Sequence, residues 1–355
     1  MSEANPLSPD DLTLILFGHS AFQFLNAGME LGVFVFLREH PKSPIALIAD
    51  ATKLSAHSTR QLLFGLVALR LLVKVENTYS NCAVIDDWFD KGQWSILQDV
   101  IRFEAHITYA GESDFLESIR TQTNVGLRHI PGNGEDLYRR LSQTPLLYKV
   151  FYDYMGSWSQ MALPLFLNSV DLSQCRHVVD IGGGDATNAI ALAHRYPGLS
   201  VTVVDLPTNC PVAQQQIAES NLEDRIKVWP ADMFHDPLPK SGDCFLFIHQ
   251  MVIWSKPEIV RLLRRAYEHL PQSGQVVIFN SISSDTEDGP LMAALDSAYF
   301  ISIPAPGGMI HPWKLYEECL LESGFGNITR VPTNSWSPHG TILAKKASVR
   351  SADQP

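Results

Sequence analysis

Hydrophobic positions change their period twice along this chain. From Leu12 through Ile15, Leu16, Phe22 and Leu25 they recur at helical spacing behind Ser8-Pro9-Asp10-Asp11. That start joins a capping hydroxyl, a proline at the first helical position and two acids facing the positive end of the dipole. The run carries more apolar surface than a free helix can hide, so it is expected in a core or a dimer interface. A short helix is predicted near Ile45–Thr52 and a stronger one from Ser58 to Leu69. Leu72-Val73-Lys74-Val75 then turns at Glu76-Asn77 into Tyr79-Ser80-Asn81. Helix, helix and hairpin in this order predict a winged helix over residues 1–93.

The pattern stays helical from Trp94 to about Val170 and becomes rich in aromatic and polar residues. Phe103, His106, Tyr109, Tyr138, Arg139, Arg140, Tyr148, Tyr152, Tyr154, Met155 and Trp158 suit the roof of a small-molecule site over residues 94–170. From His177 onward, short β-branched runs alternate with helices. Strands are predicted at His177–Ile181, Ser200–Asp205, Ile226–Val228, Cys244–Ile248 and Gln275–Asn280, with later ones at Ile328–Val331 and Thr341–Ala344. The alternation predicts an α/β, doubly wound sheet over residues 171–355. The last two strands follow one another without a helix between them, which predicts an antiparallel hairpin at the sheet's edge.

Composition narrows the partners. With 38 acidic against 27 basic side chains the formal charge is −11, which opposes sequence-independent binding to a polyanion. The second helix of the predicted winged helix offers only Arg60 and Arg70, so nucleic acid is not an expected partner. Cys82, Cys175, Cys210, Cys244 and Cys319 form no C-x-x-C pair, and no paired ligand pattern calls for a metal. The amino terminus lacks a basic region followed by an apolar run, and no stretch reaches the roughly 18 apolar residues that span a bilayer. A cytoplasmic protein with no membrane partner is expected.

The strand VVDI runs directly into Gly182-Gly183-Gly184-Asp185 and a helix, at the place where open α/β sheets bind ligands. A dinucleotide fingerprint needs a glycine where Thr187 stands, and Asp185 sits where a pyrophosphate wants a clear helix terminus. S-adenosylmethionine has no phosphate and is net cationic, so acids around a close-approach glycine turn favour it. Asp205 ends the second strand roughly 20 residues on, where a carboxylate reaches both ribose hydroxyls. Asp232-Met233 follows the third strand and offers the adenine a carboxylate and an apolar face.

These segments resemble the class I methyltransferases of the caffeate O-methyltransferase type. The resemblance runs through VVDIGGG, VVDLP, ADMF, an IWS segment before a helix, GQVVIF, ALDSAYF and PGG before the closing strands. It implies a Rossmann-like catalytic domain behind a helical, winged-helix dimerisation domain, and a homodimer. It also implies that Gly182, Asp205, Asp232 and Met233 contact S-adenosylmethionine, with Gly184 shaping the turn. Asp296, in ALDSAYF, matches a family aspartate near the acceptor.

The chemistry departs from that family at its base. O-methylating members carry His-Asp before the tryptophan matched by Trp254, and here those positions are Val252 and Ile253. Asn280 and Ile310 stand where the family has two glutamates beside the base. A missing general base costs about 10²–10⁴-fold for a phenolic hydroxyl, so the expected small-molecule acceptor is one that needs no deprotonation at the moment of attack. A thioether acid such as 4-methylthio-2-hydroxybutyrate is the leading expectation. N- or C-methylation of a secondary metabolite is the alternative, with a pericyclase-like protein that binds the cofactor without transferring its methyl group as a further rival. His249 lies three residues before the vacant position and is the first candidate for any remaining catalytic base; His106, His129, His311 and His339 carry no assigned role.

Overall fold

The computed structural model describes residues 6–240, 242–335 and 337–347. The chain divides into two compact units, residues 1–105 and 106–355.

In the first unit, α1 (Pro9–Leu16) starts as expected: Ser8 Oγ accepts from Asp11 N, and the Asp11 carboxylate accepts from Ser8 N in return. The apolar run is two helices rather than one, because the backbone leaves helical geometry at Phe17 before α2 (Gly18–Glu30) begins. No α1 residue is buried, and Leu12, Leu14, Ile15, Leu16 and Phe17 are all exposed. Then come α3 (Val33–Glu39), β1 (Ser43–Pro44), α4 (Ile45–Thr52), α5 (Ala56–Ala68), β2 (Leu72–Val75), β3 (Thr78–Asn81), α6 (Ala83–Asp90) and α7 (Trp94–Phe103). The three strands pair antiparallel in the order β1-β3-β2. Met29, Val33, Phe34, Leu37, Ile48, Leu63 and Leu66 form the core of this unit. Gly65 is what lets α5 meet α2, since a Cβ there would lie 2.3 Å from the Phe24 ring. Among the described residues no single helix is long and apolar enough to cross a membrane. α2 and α3 reach that length only together, across a 54° bend, and their inner residues lie in this core.

The second unit opens with α8 (Tyr109–Gly111), α9 (Phe115–Thr121), α10 (Leu137–Leu141) and the long α11 (Pro145–Ser169). The α/β alternation follows as β4 (His177–Ile181), α12 (Thr187–Arg195), β5 (Ser200–Asp205), α13 (Cys210–Glu219), β6 (Ile226–Pro230), β7 (Cys244–Ile248), α14 (Lys256–His269) and β8 (Gln275–Ser281). It closes with α15 (Leu291–Ser302), α16 (Trp313–Glu322), β9 (Phe325–Pro332) and β10 (His339–Lys346). The strand order is β6-β5-β4-β7-β8-β10-β9. β6 through β8 run parallel, while β10 pairs antiparallel with both β8 and β9. The Rossmann-like sheet with its antiparallel edge is therefore present. The closing strands β9 and β10 extend past their apolar middles because residues such as Gly326 and Lys345 continue the ladder. Two cores cover the sheet faces, one around Phe245, Phe247, Ile278 and Tyr316, the other around Phe166, Leu246, Val203 and Phe279. Strand order reverses between β4 and β7, which opens a crevice at the carboxyl ends of the strands.

Candidate active site

A cavity of about 530 Å³ occupies that crevice, a volume suited to a cofactor or small ligand. Its wall is assembled from strand ends: Gly182, Gly183 and Gly184 after β4, Asp205 at the end of β5, Asp232 and Met233 after β6, His249 and Val252 after β7, and Ser281 at the end of β8. Asp296 of α15 reaches the same wall, as do Tyr138, Arg139, Tyr152, Tyr154, Met155 and Trp158 from α10 and α11. All seven residues singled out from the sequence, Gly182, Gly184, Asp205, Asp232, Met233, His249 and Asp296, thus line one cavity. Arg140 does not: its guanidinium is spent on the carbonyls of Leu127, Ile130 and Gly134.

The glycine turn is required by geometry at two points. Gly182 has φ +70° and a Cβ there would lie 2.3 Å from the Gln250 amide, while one on Gly183 would lie 2.7 Å from an Asp180 oxygen. At the α12 terminus that follows, Asp185 Oδ1 accepts from Thr187 N at 3.0 Å, so a carboxylate already stands where a phosphate would sit.

Asp205 is gripped from three sides. Gly184 N donates to its Oδ2 at 2.8 Å, and Leu206 N and Asn209 Nδ2 donate to its Oδ1 at 2.7 and 2.9 Å. Burial raises its pKa, against the pull of these hydrogen bonds. Asp180, one strand over, is fully buried with neither carboxylate oxygen hydrogen-bonded among the described residues. Burial pushes its pKa up to about 7, and the charges of Asp205 and Asp185 push the same way. Burial also opposes ionisation of Asp232, but hydrogen bonds from His235 and the Phe234 N–H outweigh it and hold its pKa down.

Acids crowded around a glycine turn, one of them buried without a hydrogen bond among the described residues, fit a cationic ligand and repel an anionic one. S-adenosylmethionine meets that requirement through its sulfonium, and it supplies an electrophilic methyl group when bound.

The acceptor end is of another character. Val252, Ile253 and Ile310, the three positions vacated by the family base, its aspartate and one glutamate, pack together with Ala293 and Ala305 against Tyr138, Trp254 and Phe300. Gly308 lets the Pro-Gly-Gly loop close on them, since a Cβ there would lie 2.7 Å from the Ile253 carbonyl. Asn280 is buried with both amide atoms unpaired among the described residues. An extended segment would have put His249 and Val252 out of each other's reach. The chain instead turns at His249, φ +56°, into a 3-10 turn over Met251–Ile253, and both side chains line the cavity.

Fold, glycine turn and acids together define a class I S-adenosylmethionine-dependent methyltransferase. The chain belongs to the O-methyltransferase domain family, whose sequence pattern matches residues 114–326. It is 42% identical over 343 residues to an L-tyrosine C(3)-methyltransferase of Streptomyces lavendulae, covering 96% of this chain and 94% of that one. It is 27% identical over 336 residues to the acetylserotonin O-methyltransferase of Homo sapiens, covering 93% and 95%. Among solved structures, the apo form of the S-adenosylmethionine-dependent methyltransferase SibL superposes with a TM-score of 0.84 at 42% identity, over 94% of this chain and 98% of that one. Human N-acetylserotonin methyltransferase in complex with its cofactor shares the fold, with a TM-score of 0.80 at 24% identity over 98% and 100% of the two chains. S-adenosylmethionine is the cofactor of this protein. None of these relatives supports the thioether acid expected from the missing base; they point to the alternative.

Sequence reasoning passed over three of the groups described here. Asp180 fell inside an expected strand and was given no role, although an acid inside a run of valines is itself a signal. Asn209, which receives the Tyr152 hydroxyl at 2.9 Å and donates to Asp205, was given no role. Gln250 gave no signal, because its contact with the Gly182 carbonyl is remote in sequence.

Proposed function

We propose that this protein transfers the methyl group of S-adenosylmethionine to an aromatic ring carbon of a phenolic amino acid of the L-tyrosine type. The observation that carries the reading is the 42% identity, over nearly the whole of both chains, to an L-tyrosine C(3)-methyltransferase. The site supports it in two ways. A carbon nucleophile does not need the family's histidine on its own attacking atom, which suits the apolar cluster at Val252, Ile253 and Ile310. The wall also carries Arg139 together with Glu135 and Asp136, charges of both signs for a zwitterionic amino acid, beside the aromatic faces of Tyr138, Trp158 and Phe300. In this reading Asp205 takes the ribose hydroxyls, Asp232 and Met233 the adenine, and Gly182 and Gly184 leave room for the methionine portion. Asp296 and His249 face the acceptor.

Incubation with S-adenosylmethionine and L-tyrosine is expected to give a product one methyl heavier, with three aromatic protons and a free phenol by NMR. An O-methyl product overturns the reading, and so does turnover only of a thioether acid supplied in parallel. We further propose that the protein is a homodimer joined through its first unit, because α1 leaves Leu12, Leu14, Ile15 and Leu16 exposed and Phe17 at its end is exposed as well. A monomer at micromolar concentration in sedimentation would remove that proposal.

A further inference from the structure

Ring methylation returns the question of the proton in another form. A neutral phenol that attacks through carbon becomes positively charged and must lose its O–H proton as the new bond forms. The cavity wall carries two imidazoles, His235, which is bonded to the Asp232 carboxylate, and His249, and behind His249 lies a further one outside the wall: His249 Nε2 is 3.0 Å from His339 Nε2.

Two neutral imidazoles in Nε2 to Nε2 contact share one proton, so one donates and the other accepts. The network beyond His339 decides which. The Ser335 hydroxyl donates to the Ser337 carbonyl at 2.6 Å, so in the 3.2 Å contact between the two hydroxyls Ser337 is the donor. With its proton used, Ser337 Oγ is left to accept from His339 Nδ1–H at 2.8 Å. His339 Nε2 is then the bare nitrogen, and His249 Nε2–H donates to it. His249 is left with a bare Nδ1, and among the described residues nothing hydrogen-bonds to that nitrogen.

The pair is packed among aromatic rings. His339 stacks on Phe279 with rings 5.0 Å apart and 13° from parallel and touches Trp158 of α11, while the His249 ring lies 5.5 Å from the same Phe279 ring, on a left-handed backbone, φ +56°.

We propose that His249 and His339 form a proton-accepting pair for ring methylation, His249 Nδ1 taking the phenolic proton and His339 fixing the tautomer that leaves Nδ1 free. The proposal rests on the phenolic reading above. As the bond from the methyl carbon to the ring carbon ortho to the hydroxyl forms, the methyl–sulfur bond breaks and its electron pair stays on sulfur. The phenolic O–H bond breaks, its proton goes to His249 Nδ1, and its electron pair closes the carbonyl of a ring dienone. Positive charge thus passes from sulfur to the imidazole pair. The ring C–H then moves to oxygen in a proton-neutral tautomerisation, and the proton held by His249 leaves to water.

Basicity fits this order of events. Burial holds His249 at a pKa of about 4 and His339 lower than usual as well. A free phenol, near pKa 10, is too weak an acid for such a base. Once the ring carbon is bonded the same O–H is a strong acid, and general-base catalysis works best when the base lies between those limits.

The test uses the intact protein with S-adenosylmethionine and L-tyrosine, with cofactor affinity measured by calorimetry for each variant. His249→Gln is expected to lower kcat about a hundredfold and leave the cofactor Kd within about threefold. His339→Leu is expected to lower kcat about tenfold. His339→Gln is expected to recover to within about threefold of wild type, because its Oε1 still accepts from His249 Nε2–H. Wild-type kcat in His249→Gln overturns the pair, and equal losses in His339→Leu and His339→Gln overturn the tautomer role. Independently of how the variants fold, nitrogen-15 spectra of the wild type should show His249 unprotonated at Nδ1 at neutral pH; a protonated Nδ1 refutes the assignment. Absence of any methyl transfer to tyrosine by the wild type removes the phenolic reading and the pair with it, whereas transfer that survives both histidine substitutions removes the pair alone.

Discussion

At the β4–β5 end of the cavity the acids set the character: Asp205 receives three N–H donors, Asp185 accepts from Thr187 N at the start of α12, and Asp180 lies without a hydrogen bond among the described residues beneath the glycine turn. At the β7 end, Val252, Ile253 and Ile310 exclude water from the place where the family keeps its base. The two ends share one cavity and answer to different ligands. In the proposed reading the first recognises the cationic cofactor that every methyl transfer of this class requires, and the second is fitted to one acceptor, so its chemistry is free to change while the sheet and the glycine turn stay as they are. Specificity in this protein is therefore to be sought among apolar neighbours of Val252 and in the roof helix α11, and cofactor affinity among the acids.

The contrast breaks most directly at Asp205. Its carboxylate is gripped by three donors, and hydrogen bonds to a charged group contribute roughly 1.5–3 kcal/mol each. Asp205→Ala is expected to weaken S-adenosylmethionine binding about a hundredfold by calorimetry. Asp205→Asn, which keeps one acceptor oxygen, should fall between that variant and wild type. Unchanged affinity in Asp205→Ala would remove the charged end from the cofactor.

The two ends also differed in how far they could be read from the chain. The glycine turn, Asp205 and Asp232-Met233 each follow a strand, so a local pattern placed them, and strand order brought them together at the switch point. β4, β5 and β7 have the bounds expected of them because each is a short apolar run stopped by a polar or glycine residue. The acceptor end was legible only as an absence, a histidine that is not there. What fills the gap depends on contacts between β7, α15 and the Pro-Gly-Gly loop, which no spacing along one segment encodes. His249 and His339 are 90 residues apart, and neither signals the other. The break at Phe17 was hidden for a related reason: apolar spacing continues through it, and only the backbone changes direction.

At the dry end the sharpening substitution is Val252→His. Val252 is buried within an apolar cluster, so an imidazole there loses hydration and gains no charged partner. Native turnover is expected to fall several-fold, and cofactor affinity to change little, because the wet end is untouched. A tenfold rise in turnover would mean that proton removal limits the reaction and that His249 is not its acceptor. The pH profile gives the same contrast. A base held near pKa 4 is already neutral above pH 6, so kcat should be flat from pH 6 to 8, without the rising limb of an ordinary histidine.

The smallest effect belongs to Asp180, and it separates charge from contact at the cofactor end. Its folded pKa is raised to about 7, first by burial and then by Asp205 and Asp185. The sign follows: the neutral form stabilises the fold, a contribution fully present below the ordinary carboxylate pKa and lost as pH rises through 7. A bound sulfonium favours the ionised form instead, so the cofactor should expel a proton where Asp180 is still protonated. At pH 6.5 the heat of binding is expected to depend on the buffer's ionisation enthalpy, reporting release of a fraction of one proton. At pH 8.5 Asp180 is already ionised and the dependence should vanish. Asp205, also raised by burial, adds to the release at low pH, so Asp180→Asn should remove most of the effect at pH 6.5 rather than all of it. Heats that are independent of buffer at pH 6.5 would show that the unpaired carboxylate does not feel the cofactor's charge, and the acids behind the glycine turn would then be a structural feature of β4 alone.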